Sequence, residues 1–198
     1  MFRDLKPENV AFDLRGDMRL FDFGLAKELK PSDLIEAPDG FNATGLIGSR
    51  RYMAPEVVLC KPYGFSADVF SFAIIVWEVL AGQMAFPKMS LEKHYEQVIF
   101  KDKRPKKLKK LPKSLDQLME RAWDSDRLKR PTFPSICETL SKQISALNCS
   151  STRSHLSDRT AFLTNESFRS RCESNESLTE LGGRQPSSSS MNSSATRS

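Results

Sequence analysis

Thiols and imidazoles are scarce in this chain, with four cysteines and two histidines in 198 residues. Cys60, Cys137, Cys149 and Cys172 show no CxxC spacing, and His94 and His155 form no HxxxH pair. A metal-thiolate centre and a disulfide framework both fail on that spacing, so reduced thiols are expected. Long apolar runs are lacking as well. The longest, Val69 to Leu80, is cut by Ser71 and Glu78 and is too short to cross a bilayer. Met1 leads straight into Arg3, Asp4 and Lys6 with no apolar leader, so the expectation is a cytoplasmic protein without a membrane partner. Glycine is thin at nine residues, and no GxGxxG occurs.

What is present suits one soluble domain with a real core and a polar appendage: 39% of residues are apolar and 28% charged. The net charge of +5 is uneven. Lys101 to Lys113 carries eight basic residues and one acidic, a local +7, leaving −2 for the rest. KDKRPKKLKKLPK reads as a nuclear-import signal or anionic docking patch, or else as a solvated connection between two helices. No aromatic interleaves it, which argues against a nucleic-acid partner.

The chemistry concentrates in RDLKPENVAFDLRGDMRLFDFG, from Arg3 to Gly24. Asp4, Lys6 and Asn9 sit on a loop broken by Pro7. Val10 to Phe12 and Met18 to Phe21 have the pattern of two short strands joined by a turn. Such a hairpin returns Asp22 to the neighbourhood of Asn9. Amide and carboxylate oxygens on opposite arms suit a hard cation such as Mg²⁺, which fills its shell with water and phosphate oxygens. From Asp22 to Glu56 periodicity is weak, and Pro31, Pro38, Gly40, Gly45 and Gly48 suggest a long mobile loop. FSADVFSFAIIVWEVLAG then predicts a helix apolar nearly all round, capped by Ser66 and ended by Gly82, at the centre of the domain. Further helices are predicted over Ser90–Phe100, Ser114–Trp123 (with Ser114 and Gln117 as a capping box) and Thr132–Leu147. Beyond that, residues 148–198 are Ser-rich with isolated apolar residues, a composition expected to be disordered; Ser174, three residues after Arg171, is one of its phosphorylatable positions.

RDLKPEN followed by DFG resembles the catalytic and metal loops of eukaryotic protein kinases, HRDLKxxN and DFG. GSRRYMAPE resembles the kinase APE motif, DVFSFAIIVWE the central helix of the large lobe, and WDSDRLKRPTF the motif CWxxDPxxRPTF. The resemblance covers Phe2 to about Leu147 and implies a mainly α fold: a kinase large lobe, residues 1–147, with a short β-hairpin beside the catalytic loop. Lys6 points to the serine/threonine class, and GSRRYMAPEVVLCKPY with the helix motif looks most like the tyrosine-kinase-like group. The implied cofactors are ATP and Mg²⁺, and the implied partners are a protein substrate with a Ser or Thr hydroxyl and an upstream activating kinase.

By resemblance, Asp4 orients the hydroxyl and accepts its proton, Lys6 stabilises the transferring group, and Asn9 and Asp22 hold Mg²⁺. Ala11 would lie under the adenine. Arg3 would pair with a phosphorylated activation segment, in which Thr44 is the favoured phosphosite and Ser32 and Ser49 are further hydroxyls. Ser49 would touch Asp4 and Lys6. Glu56 and Arg130 would form a buried ion pair, and Asp68 would accept from backbone amides near Phe2 and Arg3. Phe2 stands where the family has His and cannot hydrogen-bond. The Gly-rich loop and the VAIK lysine of the small lobe have no counterpart in the sequence. The expectation is therefore a large lobe that is inactive in isolation for lack of the small lobe, with a non-catalytic interaction or regulatory module as the alternative.

Overall fold

A computed structural model describes residues 1–109 and 111–151. The Ser-rich segment with Ser174 lies outside them, apart from its first residues. Two small antiparallel hairpins and a set of helices make up the described chain. Among the described residues, no helix is long and apolar enough to cross a membrane.

The first hairpin pairs β1 (Val10–Phe12) with β2 (Met18–Leu20), placing Val10 opposite Leu20. The turn is built on Asp13, whose carboxylate accepts from the backbone N–H of Arg15 and Asp17 at 2.9 and 3.0 Å. That is the short side-chain capping that favours Asp in turns. A second hairpin, β3 (Leu34–Glu36) with β4 (Gly40–Phe41), interrupts the stretch expected to be a long loop. Its signal was present in the APDG that separates the arms, a proline-Asp-Gly turn composition.

Beyond α1 (Pro55–Val58), helix α2 (Phe65–Ala81) runs through the middle of the core. Phe70 and Ile74 have no exposed surface, and Ala73 and Val69 have almost none. The all-round apolar pattern is buried in the middle of the helix, while Phe65 at its start and Val79 and Leu80 near its end are 52%, 74% and 44% exposed. Gly82 ends the helix in the left-handed region, at φ +62°, where a side chain would be strained. The start differs from expectation. Ser66 is inside the helix, and the cap comes from Asp39 in the second hairpin, which accepts from the N–H groups of Phe65 and Ser66, both at 3.0 Å. The expected helix over Ser90–Phe100 divides into α3 (Leu91–His94), capped by Ser90, and a π-helical turn over Tyr95–Phe100. Helix α4 (Lys113–Ala122) follows Pro112 with no side-chain cap, so the Ser114 and Gln117 box does not form. Helix α5 (Phe133–Ser151) packs on α4 and extends past Leu147.

The basic run is partly absorbed by the fold. Lys101 pairs with Glu96, and Lys107 meets Asp116 at 2.6 Å and Glu120 at 3.0 Å. Arg104 donates to the carbonyls of Val98 and Trp123, with its guanidinium carbon 5.2 Å from the centre of the Phe70 ring. The Trp77 indole N–H holds the Lys106 carbonyl at 2.7 Å. Nothing of that kind is visible in a charge count.

Candidate active site

Pro7 starts a tight turn over Pro7–Asn9, which drops Asn9 into the interior directly before β1. The buried Asn9 amide donates from Nδ2 to the Asp4 carbonyl at 3.0 Å and to Asp4 Oδ2 at 3.2 Å. Lys6 Nζ reaches the same Oδ2 at 2.7 Å and the Ser49 Oγ at 3.1 Å. Asp4 Oδ1 accepts from the Ser49 backbone N–H at 2.8 Å. Asp4, Lys6, Asn9 and Ser49 therefore form one cluster. An ionised carboxylate has about four acceptor positions. Three are occupied, which leaves one for an incoming O–H.

Two backbone features hold this arrangement. Arg3 sits at φ +72°, a strained value for a residue with a side chain. The strain is held from both sides: Asp68 on α2 accepts from the N–H groups of Phe2 and Arg3 at 2.7 and 2.8 Å. Gly48 is at φ +101°, and a Cβ there would come within 2.3 Å of the Arg3 carbonyl oxygen. Only glycine lets the segment carrying Ser49 approach the loop this closely.

Asp22 is exposed, at φ +62°, and its carboxylate accepts from the Gly24 N–H at 3.3 Å. The Phe21 N–H donates to the Asn9 carbonyl at 3.2 Å, so the hairpin brings Asp22 next to the backbone of Asn9. Asp22 is also near enough to Lys6 to support its positive charge. With Asn9 Nδ2 turned to Asp4, Oδ1 is the Asn9 atom suited to a cation. An amide oxygen and a carboxylate fit a hard ion such as Mg²⁺. Among the described residues no group of three or more His, Cys, Asp or Glu side chains gathers into a metal site.

The other predicted positions fall as follows. Arg3 donates from Nε to the Leu25 carbonyl at 2.5 Å, pinning the end of the Asp22–Gly24 turn. Ala11 is exposed on β1, opposite Arg19. Thr44 and Ser32 are exposed, and the Thr44 carbonyl accepts from Tyr63 Oη at 2.5 Å. Glu56 and Arg130 form a bidentate pair at 2.6 and 2.9 Å, with 6% and 0% of their side chains exposed. Arg130 also donates to the carbonyls of Ser66 and Asp124, and its guanidinium carbon lies 5.1 Å from the Phe70 ring centre. Phe2 makes an edge-to-face contact with Phe23, ring centres 5.2 Å apart.

The family model for the protein kinase domain matches residues 1–140. The chain belongs to the protein kinase family. Its relatives include the serine/threonine-protein kinase STY17 of Arabidopsis thaliana, 36% identical over 142 residues, covering 72% of this chain and 24% of the relative. STY46 from the same plant is 37% identical over 138 residues, 70% of this chain and 23% of the relative. The dual specificity protein kinase shkB of Dictyostelium discoideum is 38% identical over 135 residues, 67% of this chain and 20% of the relative. The chain thus spans a quarter or less of the length of these relatives.

Within this kinase lobe the electrostatics follow from the contacts. Burial pushes the Asp4 carboxyl up, but the hydrogen bonds from Lys6 and Ser49 outweigh it and hold the group below the ordinary carboxylate value. Lys6 is raised by its bond to Asp4. Asp68 goes the other way, because its deeper burial exceeds the help of the Phe2 and Arg3 amides. Sequence reasoning missed Asp39 and Glu36. The Glu36 carboxylate lies 2.9 Å from Arg127, tying the second hairpin to the turn before α5. The APDG turn pointed to the hairpin, but no local signal marks partners 26 and 91 residues away.

Proposed function

We propose that this lobe serves transfer of the ATP γ-phosphoryl group to a Ser or Thr hydroxyl of a protein substrate. The observation that carries the reading is the Asp4 carboxylate, ionised, gripped by Ser49, Lys6 and Asn9, and left with one acceptor position. Asp4 accepts the hydrogen bond of the substrate hydroxyl, orients its oxygen toward phosphorus and takes up its proton as the new P–O bond forms and the bond from the γ-phosphorus to the β–γ bridging oxygen breaks, releasing ADP. Lys6 places a positive charge between Asp4 and Ser49, where the transferring group develops negative charge. Asn9 Oδ1 and Asp22 would hold Mg²⁺, whose charge offsets that of the bound phosphates. Ala11 on β1 would meet the adenine. The backbone of the Ser49 segment positions the substrate chain. Thr44, exposed beside this segment, is the proposed phosphosite for an activating kinase.

The serine/threonine reading rests on Lys6 and on the STY relatives. The dual-specificity relatives make tyrosine transfer the competing outcome. The tyrosine-kinase-like assignment rests on the GSRRYMAPE and DVFSFAIIVWE patterns. A non-catalytic interaction lobe is the alternative the experiment must separate. Labelled phosphate is followed from Mg–ATP to a mixed Ser, Thr and Tyr peptide pool, with a kinase small lobe fused ahead of the chain and Asp4→Asn as control. The expected result is Ser/Thr labelling that drops at least about 100-fold in Asp4→Asn, with circular dichroism showing that the variant stays folded. Calorimetric silence on adding Mg–ATP, with no labelling above the Asp4→Asn level, would support the interaction module instead.

A further inference from the structure

Between Phe100 and Lys113 the described residues form neither helix nor strand, yet this strap is fastened to the lobe at successive points. The Arg104 guanidinium and the Lys106 carbonyl are held as described above. Pro105, Leu108 and Leu111 line a small cavity of about 160 Å³ against Trp77 and Trp123, and both leucines pack on the core. The side chains sort with a period of three. Lys101, Arg104 and Lys107 turn to partners within the lobe: Glu96, the Val98 and Trp123 carbonyls, and Asp116 with Glu120. Pro105, Leu108 and Leu111 form the apolar row. Lys103, Lys106 and Lys109 remain outside, all exposed. Three residues per turn is the repeat of an extended polyproline-type chain, and at about 3.1 Å per residue it sets successive outer lysines about 9 Å apart.

The inner cations take up the carboxylates beside the strap. Glu96 pairs with Lys101, Asp102 lies 3.6 Å from Arg104 and accepts from the Ser125 hydroxyl, and Lys107 engages Asp116 and Glu120. Lys103, Lys106, Lys109 and, at the start of α4, Lys113 enter no ion pair among the described residues. The positive charge left after internal pairing is therefore a single row on a fastened backbone. What the strap lacks narrows the partner further. It carries no aromatic side chain on which a base could stack. Its leucines face the core, which leaves neither of them to enter a bilayer. An extended polypeptide with a carboxylate at every third residue repeats at the same distance of about 9 Å.

We propose that Lys103, Lys106 and Lys109 form a docking row for an acidic segment of a partner protein, in which Asp or Glu recurs at about every third residue. Lys113 extends the row at the start of α4. The strap is bound to the lobe along its length, so little of this chain has to be ordered when the partner arrives. Each contact is an exposed ion pair and is weak alone, so the row acts through several made together. The field of such lysines fades beyond about 10 Å at 0.1 M salt, which requires the acidic segment to lie directly along them.

The test titrates the whole chain into a fluorescein-labelled peptide of Glu-Gly-Ser repeats at low salt and follows anisotropy, with the Glu→Gln peptide as comparison. The Glu peptide should bind, more weakly as salt is raised, and the Gln peptide should not. The variant Lys103→Gln/Lys106→Gln/Lys109→Gln should lose about tenfold in affinity, the sum expected of three exposed ion pairs. Lys→Arg at the same three positions should keep the affinity. Lys61→Gln/Lys88→Gln/Lys129→Gln removes the same charge from exposed positions elsewhere on the lobe and should change the affinity by less than about twofold. All these side chains are exposed, and circular dichroism checks that each variant stays folded. Equal loss in the two Gln variants would overturn the proposal, because net charge alone would then account for binding. A Glu peptide that fails to bind would overturn it as well. So would an oligonucleotide, or vesicles of phosphatidylserine, held more tightly than the peptide through the same three lysines, since the row would then serve a nucleic acid or a membrane.

Discussion

Asp4 and Glu56 are both buried carboxylates, 7% and 5% exposed, yet their surroundings assign them different work. Glu56 is paired through both carboxylate oxygens with Arg130, which also donates to the Ser66 and Asp124 carbonyls. The pair ties the end of the activation segment to α2 and the turn before α5. Removing one partner leaves a charge buried without its counter-charge. Glu56→Gln is expected to lower stability by about 3–5 kcal/mol, read as a melting temperature lower by roughly 10 °C. A Glu56→Leu/Arg130→Met double variant should regain most of that loss, and a double variant as unstable as the single one would show that packing around the pair matters more than its charge. Asp4 retains an acceptor position. Both ion-pair partners were legible because each lies in its own motif, GSRRYMAPE and WDSDRLKRPTF. Their bonding to Ser66 and Asp124 was not legible, since carbonyl partners leave no trace in residue identity.

At the scale of elements, the first hairpin and α2 were readable from local patterns, with boundaries within a residue or two. The capping of α2 was not. Ser66 had the right chemistry in the wrong place, and Asp39 does the capping from the second hairpin, 26 residues earlier in the chain. The cap therefore joins two elements: α2 cannot start properly unless the β3–β4 hairpin is seated. Asp39→Ala is expected to remove about 1–2 kcal/mol. Hydrogen exchange should show the Phe65 and Ser66 amides losing protection before the middle of α2. Uniform loss along the helix would instead mean that the cap is not a local event. The division of the Ser90–Phe100 helix into α3 and a π-helical turn had no sequence signal either. In the observed geometry His94, Val98 and Ile99 are buried, so the pitch is set by packing against the rest of the lobe.

Across the whole molecule, acidification acts through groups spread over several elements. His94 is buried against Phe86, ring centres 5.6 Å apart, and its buried Nε2 has no hydrogen-bond partner among the described residues. Burial, then the charges of Arg50, Arg51 and Arg104, hold its pKa below the ordinary 6.5. The unfolded chain therefore binds the proton first as pH falls. The His94 contribution to stability is complete above pH 6.5 and declines as pH drops toward the depressed folded value. Asp4, also depressed, adds its loss only below about 3.8. Asp68, with a raised folded value, works in the opposite sense: its contribution is complete below 3.8 and declines as pH rises through the folded value. Denaturant melts between pH 7 and 5.5 should show stability falling by up to about 1.4 kcal/mol per pH unit, and His94→Leu should flatten that slope. An unchanged slope would assign it to other groups. What the residue order determined by itself was the family, the two loops that carry the chemistry and the helix that forms the centre, because motif spelling and apolar spacing are local properties. What only the tertiary structure decided was which charges end up paired, which lysines of the basic run form the outer row, and where the Asp4 carboxylate keeps an open acceptor position. Those depend on distances between residues far apart in the chain, which close packing sets and local spacing does not encode.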